Sequence, residues 1–564
     1  MKSSLFYKHV SFNAGLVAAT NARRQENGTS SIALFDFETI QLKTSDLAHL
    51  NASLQALFAF GNASSVDASS IASSRSACKV FPGDAELPAD DVWDALVGGS
   101  ADKCASVTDS WTNSTMHEED PTSMMSPIYK GLTCMPTTDP TATCTLGAYP
   151  AYPAYPAYAV NATNVAQIQL AVNFARNTGI RIVIKNTGHG VAGALSVWTH
   201  WLQDIRYKGA EFTDADFPYT GPAFTSGSGV VGVDIMKVAS EQGMIVVGGE
   251  ARDVGVLGGH NQGRGHGPMT SVYDLAADQV ISAPLRGGGP ATWGVATFLI
   301  IKAYPTTPVA VVTFTFASGG TVTDDAFWLG VRAYWESFTT FNKAGIYSYF
   351  FVSLPSAFGV DYFIMSPFWA PNHTQADTGA LLAPWFGKLT ALGIGFTPVY
   401  NTYDTLYEGW DASFAQETVG SDDAIFGSRL FLQEYLEDEA KFNAIFDAWS
   451  SSSGINASLL VGFNINAPNV AGVENAVLPA WRKTTLHTLQ AVTPGTGAYL
   501  GECDIEEVDW QHNFYGVNYD KLLSIKDATD PWSFFWTKTE AGSEVASVVS
   551  NDAIPDENGR LCWN

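Results

Sequence analysis

The sequence predicts an α+β fold in which a glycine-rich, cofactor-binding unit is followed by a separate unit of aromatic-rich strands and helices. Val165, Ile168, Ala171, Val172 and Ala175 recur at helical spacing, Asn177-Thr178-Gly179 ends that helix, and Arg181 to Ile184 reads as a short β-branched strand. Glycine-rich segments then follow at Lys185 to Gly190, Gly258 to Gly267 and Arg286 to Val295. Beyond about residue 306 the pattern changes: Val309 to Phe316 alternates like an antiparallel strand, and aromatic segments such as Tyr347 to Phe351 come after it.

At 564 residues the chain exceeds what one core accommodates. Hydrophobic residues make up 46% and aromatics 12%, the composition of a folded protein. A formal charge of −26 argues against a nucleic acid or an anionic membrane surface as partner. No apolar run reaches the roughly 18 residues that span a bilayer. A weakly apolar stretch from Phe12 to Ala19, followed by Arg23-Arg24, is a poor secretory leader. Sequons at Asn27, Asn51, Asn62, Asn113, Asn161, Asn372 and Asn456 also point to the secretory route and a glycoprotein. So do six cysteines (Cys78, Cys104, Cys134, Cys144, Cys503 and Cys562), which permit disulfides of undetermined pairing.

Along the chain, residues 1–145 read as a loose N-terminal extension with short helical patterns, as at Leu47, Leu50, Leu54, Leu57 and Phe58. The Tyr-Pro-Ala run from Ala148 to Tyr158 is an extended lead-in, because each proline removes a donor. Residues 146–305 form the cofactor unit: after the first helix and strand come a strand at Ala194 to Thr199, a helix at Lys237 to Gln242 and a strand at Met244 to Val247. Residues 306–490 form the substrate unit, and 491–564 a tail carrying Phe514 to Tyr519 and Asp530-Pro531.

Gly188 to Gly193 matches G-x-G-x-x-G, but residues of β propensity follow it instead of the helix that a Rossmann turn requires. His260 and His266 share a glycine loop without HExxH, CxxC or a nearby carboxylate set, so no metal site is expected. Neither a G-x-S-x-G elbow nor a P-loop is present. Glycine loops let backbone N–H groups approach a large phosphate-bearing cofactor, and His189 at the tip of the first loop suggests chemistry with it.

The segments Cys78 to Asp84, Cys144 to Gly147, Val183 to His189, Val247 to Glu250, Gly258 to Gly267 with Leu275 to Val280, Arg286 to Val295 and Tyr519 to Pro531 are similar to those of a known family. Together they resemble the fungal FAD-linked oxidoreductases of the berberine-bridge-enzyme-like group, in the vanillyl-alcohol oxidase and p-cresol methylhydroxylase (PCMH) superfamily. The resemblance implies a bipartite PCMH-type FAD-binding domain with an inserted α+β substrate domain. It implies FAD bonded covalently to His189, which raises the flavin's potential as a hydride acceptor. The second covalent link of bicovalent relatives uses a cysteine; Ala251 stands in that slot, so His189 is expected to be the sole attachment. Lys185, Asn186, Thr187, Gly188, Gly190, Gly258, Gly259, Gly263 and Gly265 are expected to cradle the cofactor, and Asn518 to meet it from the tail. Glu502 occupies the catalytic-base slot and is expected to take the substrate proton provided burial raises its pKa, with Tyr499 in reserve, while Gly501 replaces the family's asparagine.

The implied function is an FAD-dependent oxidase taking hydride from a small alcohol, a sugar hemiacetal or a secondary-metabolite C–H, with O₂ as the second substrate and H₂O₂ as product. Oxidative cyclisation or dehydrogenation of a natural product is the alternative. An inactive flavin-fold protein is another, because the chain passes from Val280 almost directly to Ser282-Ala283-Pro284-Leu285 where relatives have two strands and a helix. The loop after His189 is also short. Loss of paired strands is expected to expose sheet edges and apolar surface.

Overall fold

A computed structural model describes residues 9–10, 34–60, 77–81, 84–86, 110–126, 156, 158–188, 195–214, 217–281, 286–290, 293–353, 359–414, 418–420, 427–452, 459–488, 497–549 and 559–564. The leader stretch Phe12 to Ala19, most of the Tyr-Pro-Ala run, and Cys104, Cys134 and Cys144 lie outside the described residues.

The N-terminal region holds helix α1 (Ala52–Phe58). The cofactor unit opens with β1 (Tyr158–Asn161), α2 (Val165–Thr178), β2 (Ile182–Lys185) and β3 (Leu195–Trp198). In α2 the Asn164 side chain accepts from Gln167 N at 3.1 Å, and Gly179 closes the C-terminus. β3 pairs in parallel with β1 on one side and β2 on the other, so α2 is the crossover that parallel pairing demands. The helix buries Ile168, Ala171 and Phe174 against Val160, Ile182 and Val197.

Part of the expected loose extension belongs to this core. Phe35, Phe37 and Phe58 are buried, Phe58 stacks on Phe174 with ring centroids 5.5 Å apart, and Asn173 Nδ2 donates to Phe58 O at 3.2 Å. Aromatic burial of this kind overrides the Ser/Ala-rich composition that suggests a tether. Cys78 and Cys562 form a disulfide beside the backbone bonds Lys79 N to Leu561 O and Trp563 N to Ala77 O, joining this region to the C-terminal strand. Cys503 is a buried free thiol.

β4 (Ile205–Tyr207), β5 (Ala223–Gly227), α3 (Gly232–Ser240) and β6 (Phe298–Lys302) follow. The three strands make a small antiparallel sheet in the order β6-β5-β4. The exposed edge expected from the missing strands is covered in part by other segments. Val280 bridges to Ile301 and Ile281 N donates to Ile300 O at 2.8 Å, along the outer side of β6. Phe212, Phe217 and Tyr219 pack over Ala223, Ile281 and Ile300. Local substitution thus removes much of the exposure that a deleted strand pair threatens.

The substrate unit is a seven-stranded antiparallel sheet built from β7 (Val309–Ala317), β8 (Tyr347–Ser353), β9 (Tyr362–Pro371), β10 (Val399–Tyr403), β11 (Arg429–Leu432), β12 (Leu460–Asn464) and β13 (Thr484–Thr488), in the order β10-β7-β9-β8-β12-β13-β11. Strand alternation divides it. Phe314, Phe316, Phe350 and Phe363 face helices that supply Trp335, Trp385 and Trp449. The other face presents Tyr347, Tyr349, Phe351 and Phe463 toward the cofactor unit.

A buried ion pair ties the two units together. Arg482 donates to both carboxylate oxygens of Asp278, at 2.8 and 2.9 Å, and Asn475 Nδ2 adds a bond at 2.6 Å. Such a fork-to-carboxylate pair fixes orientation as well as distance. Replacing Arg482 with Met strands a carboxylate whose side chain is 3% exposed. The expected loss is about 3–5 kcal/mol, read as a lowered unfolding midpoint, and an unchanged midpoint refutes the tie.

Candidate active site

The strand β2 delivers Lys185 and then Asn186, Thr187 and Gly188 into the first glycine loop. Lys185 is buried, donates from Nζ to His117 O at 2.8 Å, and has its pKa lowered to about 8 by burial. It therefore anchors the loop to the N-terminal segment, whose Met125 N also bonds Gly188 O at 3.0 Å. The Asn186 amide has neither its nitrogen nor its oxygen paired, although both are buried. His189 and Gly190 lie outside the described residues.

The second loop packs directly on the first. A Cβ at Gly255 would collide with Asn186 Nδ2, and one at Gly265 with the His260 ring, so a larger residue at either position would displace that side chain. Gly263 N donates to Gly259 O at 2.6 Å and Gly265 N to His260 O at 2.7 Å, folding the loop on itself. A Cβ added to Gly258 would come within 3.5 Å of Asn186 Nδ2, and beside Gly259 there is open space. Gly289 N bonds Gln262 O at 3.0 Å and brings in the third glycine segment.

Arg264 locks these pieces to the tail. It is fully buried and donates to Gly287 O at 2.6 Å and to Phe514 O, with its guanidinium 4.6 Å from the Tyr515 ring centroid. The Asn518 amide nitrogen donates to Val477 O at 3.0 Å, and Phe514 and Tyr515 just before it are fully buried.

On the substrate side, Glu502 Oε2 stands 3.5 Å from His266 Nε2 and 3.7 Å from His487 Nδ1. Burial opposes its charge, the facing His266 imidazole favours it most strongly, and the balance holds the carboxyl below its usual value, where the role of base calls for burial to raise it. Burial drives His487 down to about 3 and His260 to about 4, so both are neutral imidazoles near neutral pH. Tyr499 packs edge-on to His266 and His487, and burial pushes its hydroxyl pKa up, which makes it a wall of the site and a poor base. His487 is the residue that pattern reading passes over. It stands alone in the strand Thr484-Thr485-Leu486-His487-Thr488, and only its pairing with Phe463 on β12 reveals that it faces the site.

Residues 156–285 match the FAD binding domain family and residues 498–539 the berberine and berberine-like family. The FAD-linked oxidoreductase ZEB1 of Gibberella zeae is 29% identical, with 87% of this chain and 96% of that protein covered. The VAO-type flavoprotein MtVAO615 of Myceliophthora thermophila is 27% identical and superposes with a TM-score of 0.75 over 86% of this chain and all of that one.

These matches support a berberine-bridge-enzyme-like, PCMH-type flavoprotein, an FAD-linked oxidoreductase.

A glucooligosaccharide oxidase of Acremonium strictum shares the fold alone, at 15% identity and a TM-score of 0.51 over 67% of this chain and 90% of that one; its FAD is 6-S-cysteinyl, 8α-N1-histidyl. The alignment with ZEB1 runs over 579 positions, more than the length of this chain although it covers 87% of it. The relative therefore carries segments that this oxidoreductase lacks. FAD fits the residues present: the Asn186 amide, His260 Nε2 and Arg264 Nη2 are buried polar atoms unpaired within the protein, grouped on the loops that the family uses for its cofactor.

An unpaired buried amide costs about 1–3 kcal/mol, so a residue kept for the cofactor burdens the empty protein. Asn186→Ala is expected to leave the midpoint of flavin-free protein unchanged or raised while FAD content falls severalfold. A variant that loses stability but keeps full flavin assigns Asn186 a purely structural role.

Proposed function

We propose that this oxidoreductase is an oxidase acting on an alcohol, a sugar hemiacetal or an activated C–H of a secondary metabolite, with Glu502 as proton acceptor. The observation that carries the reading is the place of that carboxylate. Glu502 lies between His266, which follows Gly265 on the second cofactor loop, and His487, which stands on the substrate sheet. It is thus at the seam where a substrate must meet the cofactor. The chemistry FAD supplies when bound is acceptance of hydride, with return of the electrons to O₂ and release of H₂O₂.

The chain's own residues do the rest. Lys185, Asn186, Thr187 and Gly188 on one loop, and Gly258, Gly259, Gly263 and Gly265 on the other, hold the cofactor by main chain, and His189 is the attachment point. Ala251 offers no thiol, which supports attachment through His189 alone. Glu502 takes the hydroxyl or C–H proton of the substrate as its hydride leaves, and the rings of Phe463, Trp481 and Tyr499 line the seam beside it. The sequons and the Cys78–Cys562 disulfide support a secretory location. Among the described residues no helix is long and apolar enough to cross a membrane.

Oxidative cyclisation uses the same proton acceptor and differs only in substrate. The short β6-β5-β4 sheet favours a second reading, a flavin-fold protein without turnover. Colour and oxygen uptake separate the two. The protein is expected to purify yellow and keep its flavin through acid precipitation, whereas His189→Ala releases it to the supernatant; equal retention refutes the covalent link. Glu502→Gln is expected to keep the flavin and to slow its reduction by substrate about 10²–10⁴-fold in stopped flow. An unslowed variant removes Glu502 from the reaction.

A further inference from the structure

His266, Glu502 and His487 come from a cofactor loop, a turn of the tail and a strand of the substrate sheet, and no sequence motif links them. One ligand atom from each residue lies within 4.8 Å of those of the other two. His266 Nε2, His487 Nδ1 and Glu502 Oε2 are each buried without a hydrogen-bond partner. Their separations of 3.5 and 3.7 Å exceed the usual hydrogen-bond range of about 2.7–3.2 Å. They are close to the edge, about 3.4 Å, of a tetrahedron of donors each about 2.0–2.1 Å from a central zinc ion.

We propose that His266, His487 and Glu502 form a binding site for one divalent cation of the zinc class, held by Nε2, Nδ1 and Oε2. The donor set of two imidazoles and a carboxylate is one that zinc takes, and it leaves a fourth position open to water or substrate. His266 carries the outer support that metal-bound histidines need: Nδ1 lies 3.2 Å from Tyr347 Oη, and an N–H there orients the ring and leaves Nε2 its lone pair. Phe463, Trp481 and Tyr499 pack around the imidazoles and lower the local dielectric, which strengthens the attraction between the cation and Glu502. The Glu502 side chain is 34% exposed, which gives a cation its route in. Binding turns three orphaned atoms into ligands. It also occupies the lone pair that takes the substrate proton, so zinc and turnover exclude one another; this consequence alone rests on the proposed role of Glu502 as base.

The test uses untagged, flavin-loaded, full-length protein stripped with EDTA, desalted, and dialysed against ZnCl₂ or CoCl₂. Wild type is expected to retain one zinc per chain and, with cobalt, to show visible bands at longer wavelength than the flavin. His487→Gln and Glu502→Gln are expected to bind at least about tenfold more weakly while keeping the flavin spectrum. Zinc is expected to raise the melting temperature of wild type, a readout that needs no variant. Absence of stoichiometric uptake by wild type, or equal uptake by flavin-bearing variants, overturns the site. Uptake with undiminished oxygen consumption upholds the site and overturns Glu502 as base.

Discussion

Arg264 occupies a backbone position that disfavours it, at φ 74, with none of its surface exposed. A left-handed conformation costs an ordinary side chain roughly 1–2 kcal/mol, and burying a guanidinium costs more unless it is paired. Its bonds to Gly287 O and Phe514 O, and its stacking on Tyr515, offset both terms. The geometry of the site depends on this one contact set. It fixes the second glycine loop against the third and against the tail, and Tyr515 passes the constraint on through its hydroxyl bond of 2.7 Å to Glu540. His266 lies two residues along the same loop, so the imidazole beside Glu502 is held by a cation on the other side of Gly265.

What the sequence discloses depends on whether the signal is local. The helix at 165–178 carries its own cap, apolar stripe and terminating glycine, and β7 alternates from Val312 to Ala317 after four consecutive buried residues; both follow from windows of about a dozen residues. The literal G-x-G-x-x-G is rightly set aside because β3, not a helix, comes next. The region from Phe35 to Phe58 misleads because its few aromatic residues matter only once α2 supplies Phe174 to meet them. Asn518 shows what a family position leaves out: the tie of its amide nitrogen to Val477 O, 41 residues back in the chain, has no local signal. His487 is silent because a strand histidine acquires meaning only from its cross-strand neighbours, Phe463 on one side and Leu430 on the other.

The shortened sheet tests how much of a cofactor domain its strands must supply. β6 keeps full register with β5, from Phe298 opposite Gly227 to Lys302 opposite Ala223, and the residues that lead into the gap turn back along its free side. Lys302 Nζ donates to Asp278 O at 2.8 Å, and the side chain of Asp278 holds Arg482. The loss is therefore confined to a flank. The path from β6 through Asp278 to the substrate unit stays intact, and with it the spacing between cofactor loops and substrate sheet.

That spacing decides what chemistry the seam supports. Alternation along β8 sends Phe350 into the helical core and Tyr349 and Phe351 to the open face, where Tyr349 stacks on Phe463 at 4.8 Å and Phe463 on His487 at 5.3 Å. A ring-lined surface orients a flat or hydrophobic substrate by stacking and offers few hydrogen bonds of its own. Charge enters through one carboxylate flanked by two imidazoles. The Glu502 oxygen stands 3.5 Å from His266 Nε2 and 3.7 Å from His487 Nδ1, beyond the usual hydrogen-bond range, with His487 neutral. An acceptor in that condition binds whatever small electrophile arrives, a proton from a substrate or a metal ion from solution. One arrangement thus carries both proposals, a proton acceptor for turnover and a ligand set for a divalent cation.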